Sequence, residues 1–197
     1  MAKKEAIQKI VSGRINALEH MSDESRRKAL LAELRRGVGK KPGELPQLWG
    51  ALLQDLPEEL MGKTQEPSAA EWAIYTALTL YAYHQQSRDA VTESMNHPKQ
   101  GIGHAAALLV KEPDDLASVQ ARFNRFALAE DLPQAVTHLR SLVSLLRREG
   151  IGLDYGALAG ELYSYQFQEA MSNVRLEWGR DFYRVMSAYD KEENENE

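Results

Sequence analysis

Between Arg26 and Lys41 the sequence sets seven basic side chains (Arg26, Arg27, Lys28, Arg35, Arg36, Lys40 and Lys41) against one acid, Glu33. Guanidinium and ammonium groups at this density are suited to phosphate and carboxylate partners. The last four surround the glycines of "RRGVGKKPG". Glycine admits close approach of an anion to backbone amides, so Lys40 and Lys41 are expected to form an anion-contacting loop. The loop is not a nucleotide-binding P-loop. That motif needs glycine where Leu34 stands, Ser or Thr where Lys41 stands, and a preceding strand.

Further arginines recur at helical spacing. In "THLRSLVSLLRREG" the apolar stripe is Leu139, Leu142, Val143 and Leu146. Arg140, Ser144 and Arg147 fall four and three residues apart on the opposite face, so both guanidiniums point the same way. Arg122 and Arg125 are three apart in "ARFNRF", with Phe123 and Phe126 turned inward. Arg175 precedes Arg180 and Arg184 on a later segment. Such rows are also what a solvated face or a set of ion-pair partners looks like. A cation in a last helical turn is favoured by about 0.3–1 kcal/mol with no ligand at all.

No catalytic set can be assembled. The five histidines include no i,i+4 pair and no H-E-x-x-H motif, so no metal or other cofactor is expected. The paired carboxylates Glu58-Glu59, Asp114-Asp115 and Glu130-Asp131 each sit near a helix start, where they complement the dipole.

The elements that must carry these residues are all helical. No run of five to eight residues alternates as a half-buried strand would. A first amphipathic helix is expected over Ala2 to His20. A second is expected from an N-cap at Ser22 to a C′ glycine at Gly37. A short helix follows Pro46, with Leu48, Leu52 and Leu53 on one side. Ser68-x-x-Glu71 is a capping box opening a central helix that is apolar nearly all round. The polar stretch "SRDAVTESMNHPKQG", residues 87–101, reads as a loop or partly ordered linker. Beyond it, helices are expected after Pro113, from Asp131 to Gly150, and over two final segments. The expectation is an all-α protein of about nine helices in two packed helical parts: an N-terminal part over 1–96 and a C-terminal bundle over 97–189.

Of 24 basic and 29 acidic residues, one and five lie in the last eight positions. The body therefore carries 23 against 24, and the net charge of -5 comes largely from a tail, 190–197, expected to be disordered. There is no cysteine, no signal-peptide pattern and no apolar run near the roughly 18 residues that cross a bilayer. A cytoplasmic protein without a membrane partner is expected.

The ordered segments "LRRG" leading through Lys and Pro into "LPQLWGALL", then "RFNRFALAED", "LRSLVSLLRREGIGLDYGALAGEL" and "VRLEWGRDFY" resemble the CasB family. That family is the small subunit of the type I-E CRISPR surveillance complex, Cascade. The resemblance covers roughly Leu34 to Tyr183. It implies a non-catalytic helical protein, two copies side by side, contacts with the repeated backbone subunits and the large subunit, and help in holding the crRNA-guided DNA target open in an R-loop. On this sequence the nucleic-acid-contacting candidates are Arg35, Arg36, Lys40, Lys41, Arg122, Arg125, Arg140, Arg147 and Arg175. The competing reading is a helical protein–protein interaction module whose arginines meet acids on partner subunits.

Overall fold

The computed structural model describes residues 2–195, with side chains through Ala188. Nine α-helices occur among them: α1 (Ala2–Glu19), α2 (Glu24–Arg36), α3 (Trp49–Leu53), α4 (Ala69–His84), α5 (Ile102–Ala107), α6 (Asp115–Ala127), α7 (Leu132–Glu149), α8 (Tyr155–Tyr165) and α9 (Gln168–Glu195). Two 3₁₀ turns, Pro46–Leu48 and Glu58–Leu60, flank α3. No strand occurs among the described residues; one isolated bridge pairs Asn96 with Leu153.

The central helix is α4. Its capping box closes as its sequence requires: Glu71 N–H donates to Ser68 Oγ at 3.0 Å, and Ser68 N–H donates to Glu71 Oε2 at 2.6 Å. Every residue from Ala73 to Ala82 is buried, because α1, α2, α7 and α8 pack around it. On α1 the stripe Ile7, Val11, Ile15 and Leu18 faces that core. Gly156 and Gly160 on α8 leave room for Ser12 and Gln8, so α1 and α8 lie close together. The expected stripe of α7 is buried throughout, and Gly150 ends that helix in the left-handed conformation at φ 69.

Two helix ends differ from expectation. Asp23, not Ser22, caps α2, accepting from Arg26 N–H at 2.9 Å. Gly37 has ordinary right-handed φ and ψ. A glycine stands there for space: a Cβ would lie 2.7 Å from Tyr75 Oη and 2.8 Å from Leu48 Cδ1. The Tyr75 hydroxyl donates to the Gly37 carbonyl at 3.0 Å, which fixes the turn below α2 against α4.

Residues 87–101 form no helix but are pinned at many points. Asp89 accepts from Val91 N–H at 2.7 Å; Met95 N–H donates to Gln85 Oε1 at 2.8 Å; Leu153 N–H donates to Met95 O at 3.0 Å. Helices α1 and α4 before this segment pack against α8 after it, and one apolar core runs from Ile7 to Met186. The backbone of α9 continues into the acidic segment as far as Glu195, and Asn196 and Glu197 lie outside the described residues.

Aromatic rings join α6, α8 and α9. Phe123 stacks on Phe182 at 5.3 Å, and Trp178 lies 4.6 Å from Phe126 and 5.4 Å from Tyr165 between centroids. Trp178 Nε1–H donates to Glu161 Oε2 at 2.7 Å. Burial is the main cause that pushes Glu161 up to about 7, the Trp178 bond and Lys4 opposing it while Asp181 and Glu177 add to it. A carboxyl raised above its unfolded value binds its proton more tightly in the folded state. Its contribution therefore favours folding at low pH and is lost as pH rises from about 4.5 to about 7. Glu161→Gln keeps an acceptor for Trp178 without the charge. It is expected to raise stability by about 1–3 kcal/mol at pH 8 and to change it little at about pH 4.5. Urea unfolding of both proteins at the two pH values measures this. The difference between them removes the opposite trend from buried His84, whose pKa is lowered to about 3, chiefly by desolvation.

Candidate nucleic-acid interface

Two helical faces meet to form a groove. On α4, Trp72, Thr76, Thr79 and Tyr83 are spaced four, three and four residues apart, which places them on one face. On α7, Pro133, Thr137, Arg140, Ser144 and Arg147 are spaced four, three, four and three apart, for the same reason. Packing of α4 on α7 sets these rows opposite each other. One end is a cleft of about 210 Å³ lined by residues of both rows and closed by Gly39 and Lys40 from the loop after α2. Farther along, a hollow of about 370 Å³ is lined by Tyr83, Thr137, Arg140 and Ser144, with Arg122 entering from α6. Both share Thr137 and Arg140, and neither is lined by an aspartate or glutamate.

Lys40, Arg122 and Arg140 thus come together from three separate parts of the chain. Lys40 and Arg122 are exposed and have no ion-pair partner among the described residues. The Tyr83 ring organises the arginines of α7: the Arg147 guanidinium carbon is 4.7 Å from its centroid and that of Arg140 is 5.7 Å away. Arg147 also donates to Gln86 Oε1 at 2.8 Å, so it holds the groove wall and leaves Arg140 the freer cation.

The other candidates lie differently. Lys41 is ion-paired with Glu66, an acid 25 residues away that folding brings to the loop. The amides of the loop are also engaged: Lys40 N–H donates to Gly37 O at 3.0 Å and Lys41 N–H to Glu44 Oε1 at 2.7 Å. The loop therefore offers the Lys40 ammonium and not a cradle of these two amides. Arg35 is half-buried, and desolvation lowers its pKa from the usual arginine value. Arg36 is exposed at the end of α2, and Arg125 is exposed on α6 beyond Arg122; neither lines the groove. Arg175 donates to Ala129 O at 3.0 Å and to Tyr165 Oη at 3.2 Å, with its Nε buried and unpartnered. It ties α9 to the turn between α6 and α7.

The groove's aromatic and hydroxyl residues do not stand out in the sequence as a site. Their one signal is the stripe Trp72, Thr76, Thr79 and Tyr83, a polar-edged line on a helix that is otherwise mostly apolar or aromatic. Among the described residues no group of three or more His, Asp or Glu could hold a metal ion, and no helix is long and apolar enough to cross a membrane.

Comparison with known proteins agrees with this architecture. The chain is similar to CasB from Thermobifida fusca, whose crystal structure it matches at 34% identity and a TM-score of 0.72, covering 92% of this chain and 98% of that one. It is similar in fold to CasB from M. ruber at 23% identity and TM-score 0.68, over 92% and 97% of the two chains. A chain of a CRISPR RNA-guided surveillance complex shares the fold at 20% identity and TM-score 0.73, over 94% and 98%. No curated protein matches the chain. The family model described as CRISPR-associated protein Cse2 matches residues 30–183, from within α2 to within α9, and so takes in all three groove cations. With more than half of its length matched by that model, the chain belongs to the CRISPR-associated Cse2 (CasB) family.

Proposed function

We propose that this chain is the non-catalytic small subunit of a type I-E Cascade complex, and that the groove between α4 and α7 holds a nucleic-acid backbone. In that role it bridges the backbone and large subunits beside a second copy of itself and steadies the crRNA-guided R-loop in the cytoplasm. The observation that carries the reading is the convergence of Lys40, Arg122 and Arg140 on a groove lined by no acid. Family membership and the likeness to a surveillance-complex chain support it.

The energetics suit such a part. Exchange of a DNA duplex for an RNA–DNA heteroduplex is close to balanced, so a modest grip on exposed backbone tips it. Phosphate contacts position without reading sequence. A body with 23 bases against 24 acids has little long-range pull on DNA by itself, as fits a subunit that acts inside an assembly.

Three phosphate contacts predict that log Kobs for a single strand falls with log salt at a slope of about −2. Lys40→Ala is expected to reduce that slope by about 0.7, and Lys41→Ala, whose charge Glu66 already neutralises, to leave it unchanged. Fluorescence anisotropy of a labelled oligonucleotide across a salt series measures both. A slope near zero would remove the groove from nucleic-acid contact. That outcome would favour the interaction-module reading, for which the exposed Leu128 and Leu176 speak at 68% and 51% exposure. Rescue of Arg140→Glu by an acid-to-lysine change on a partner subunit would then establish it.

A further inference from the structure

We propose that the cleft at the Lys40 end of the groove is a pocket for one unstacked base of the bound strand, its neighbouring phosphates lying on Lys40 and Arg140. This rests on the nucleic-acid reading above and names what the deepest part of that groove holds.

At about 210 Å³ the cleft is below the roughly 300–1,000 Å³ of pockets that enclose drug-sized ligands. It accepts one planar ring system and not a stacked pair. Half-buried Trp72 supplies an aromatic surface, on which any base can stack. Thr76 supplies the second, independent pointer. It is 2% exposed and lines the cleft, yet its hydroxyl has no hydrogen-bond partner among the described residues. Because it is not one of the buried unpaired groups of the molecule, that hydroxyl is open to the cleft, where a base edge offers it both donors and acceptors. The neighbouring threonines are already engaged: Thr79 Oγ1–H donates to Thr76 O and Thr137 Oγ1–H to Pro133 O, each at 3.1 Å. An anionic protein segment would use the two cations and leave the indole and the Thr76 hydroxyl empty. A nucleotide within a strand uses all of them together.

The test uses the full chain carrying Trp49→Phe, so that Trp72 is the accessible indole while Trp178 stays buried. A short oligothymidylate is expected to quench Trp72 fluorescence. An abasic strand of equal phosphate count is expected to bind with the same salt slope, about 10-fold more weakly, and without quenching. Thr76→Val, nearly equal in volume, is expected to weaken oligothymidylate binding about fivefold and to leave the abasic strand unaffected. Equal affinity and equal quenching for the two strands would overturn the base pocket and leave the backbone groove standing. Failure of both strands to bind at low salt would overturn both. Quenching by free thymidine monophosphate at the same concentration would assign the cleft to a free nucleotide and overturn the strand.

Discussion

Reversing the charge of Lys40 and Arg140 together is expected to weaken single-strand binding by about 100-fold or more at low salt, with thermal stability almost unchanged. The two side chains come from different elements and converge on one cleft that no acid lines. Replacement by alanine removes two attractions, and replacement by glutamate adds two repulsions in the same place; like charges brought together at an interface cost several kcal/mol. The salt dependence should flatten as well, the slope falling by about 1.4 because two phosphates are no longer neutralised. The fold has little at stake. Lys40 has no ion-pair partner among the described residues, and the approach of Arg140 to the Tyr83 ring is worth about 0.5–1 kcal/mol. A shift in Tm of only a few degrees is expected for a chain of this size. Anisotropy titrations at two salt concentrations, beside a thermal melt, separate the effects. Binding within threefold of the parent protein would exclude this cleft as a phosphate site.

The largest effect on stability is expected at Gly103. Helix α5 spans six residues, too short to persist on its own, and Gly101 before it has no side chain to cap it. It is held by packing on α9, where a Cβ at Gly103 would overlap the Trp178 carbonyl oxygen and lie 3.0 Å from Trp178 C and Asp181 Cβ. The nearest obstacle is backbone, which cannot rotate away as a side chain can. Gly103→Ala should therefore cost about 3 kcal/mol and lower Tm by about 6–12 °C. Because Trp178 is the hub of the aromatic cluster, the near-ultraviolet circular dichroism should change with it. Gly13→Ala is the matched control. Gly13 is exposed within α1 and a Cβ there meets nothing within 4 Å, so the same substitution should stabilise by about 0.5–1 kcal/mol. Equal melting temperatures for the two variants would refute the close approach of α5 and α9.

The helices are legible in the sequence because their signals are local. The box Ser68-x-x-Glu71, the Asp131 cap, Gly150 and the stripe Leu139, Leu142, Val143 and Leu146 each fall within a few turns of chain. Where two local signals compete, spacing alone does not choose. Ser22 and Asp23 are adjacent potential caps, and the one that reaches Arg26 N–H is Asp23. Glycine at a helix end has two explanations, and at Gly37 the tertiary one, room for Tyr75 and Leu48, is invisible in the sequence. The cations are legible as types and not as a site. Nothing near Lys41 announces Glu66, and nothing in "VRLEWG" shows that Arg175 reaches Ala129 O across the turn between α6 and α7. The groove needs α4 laid against α7, an arrangement that periodicity does not specify. Its residues on α4 read as core because twelve of the sixteen positions on that helix are apolar or aromatic.

The dependence of α1 on α8 bears on how the chain is made. The face carrying Ile7, Val11, Ile15 and Leu18 packs chiefly on a helix that begins at Tyr155 and only partly on α4. At about 5–20 residues per second, a ribosome needs roughly 7–30 s to travel from the first of these helices to the second. Through that interval α1 has its greasy side only partly covered. Its cover arrives only once the chain has passed Tyr155, so an early helix waits for a late one to shield it.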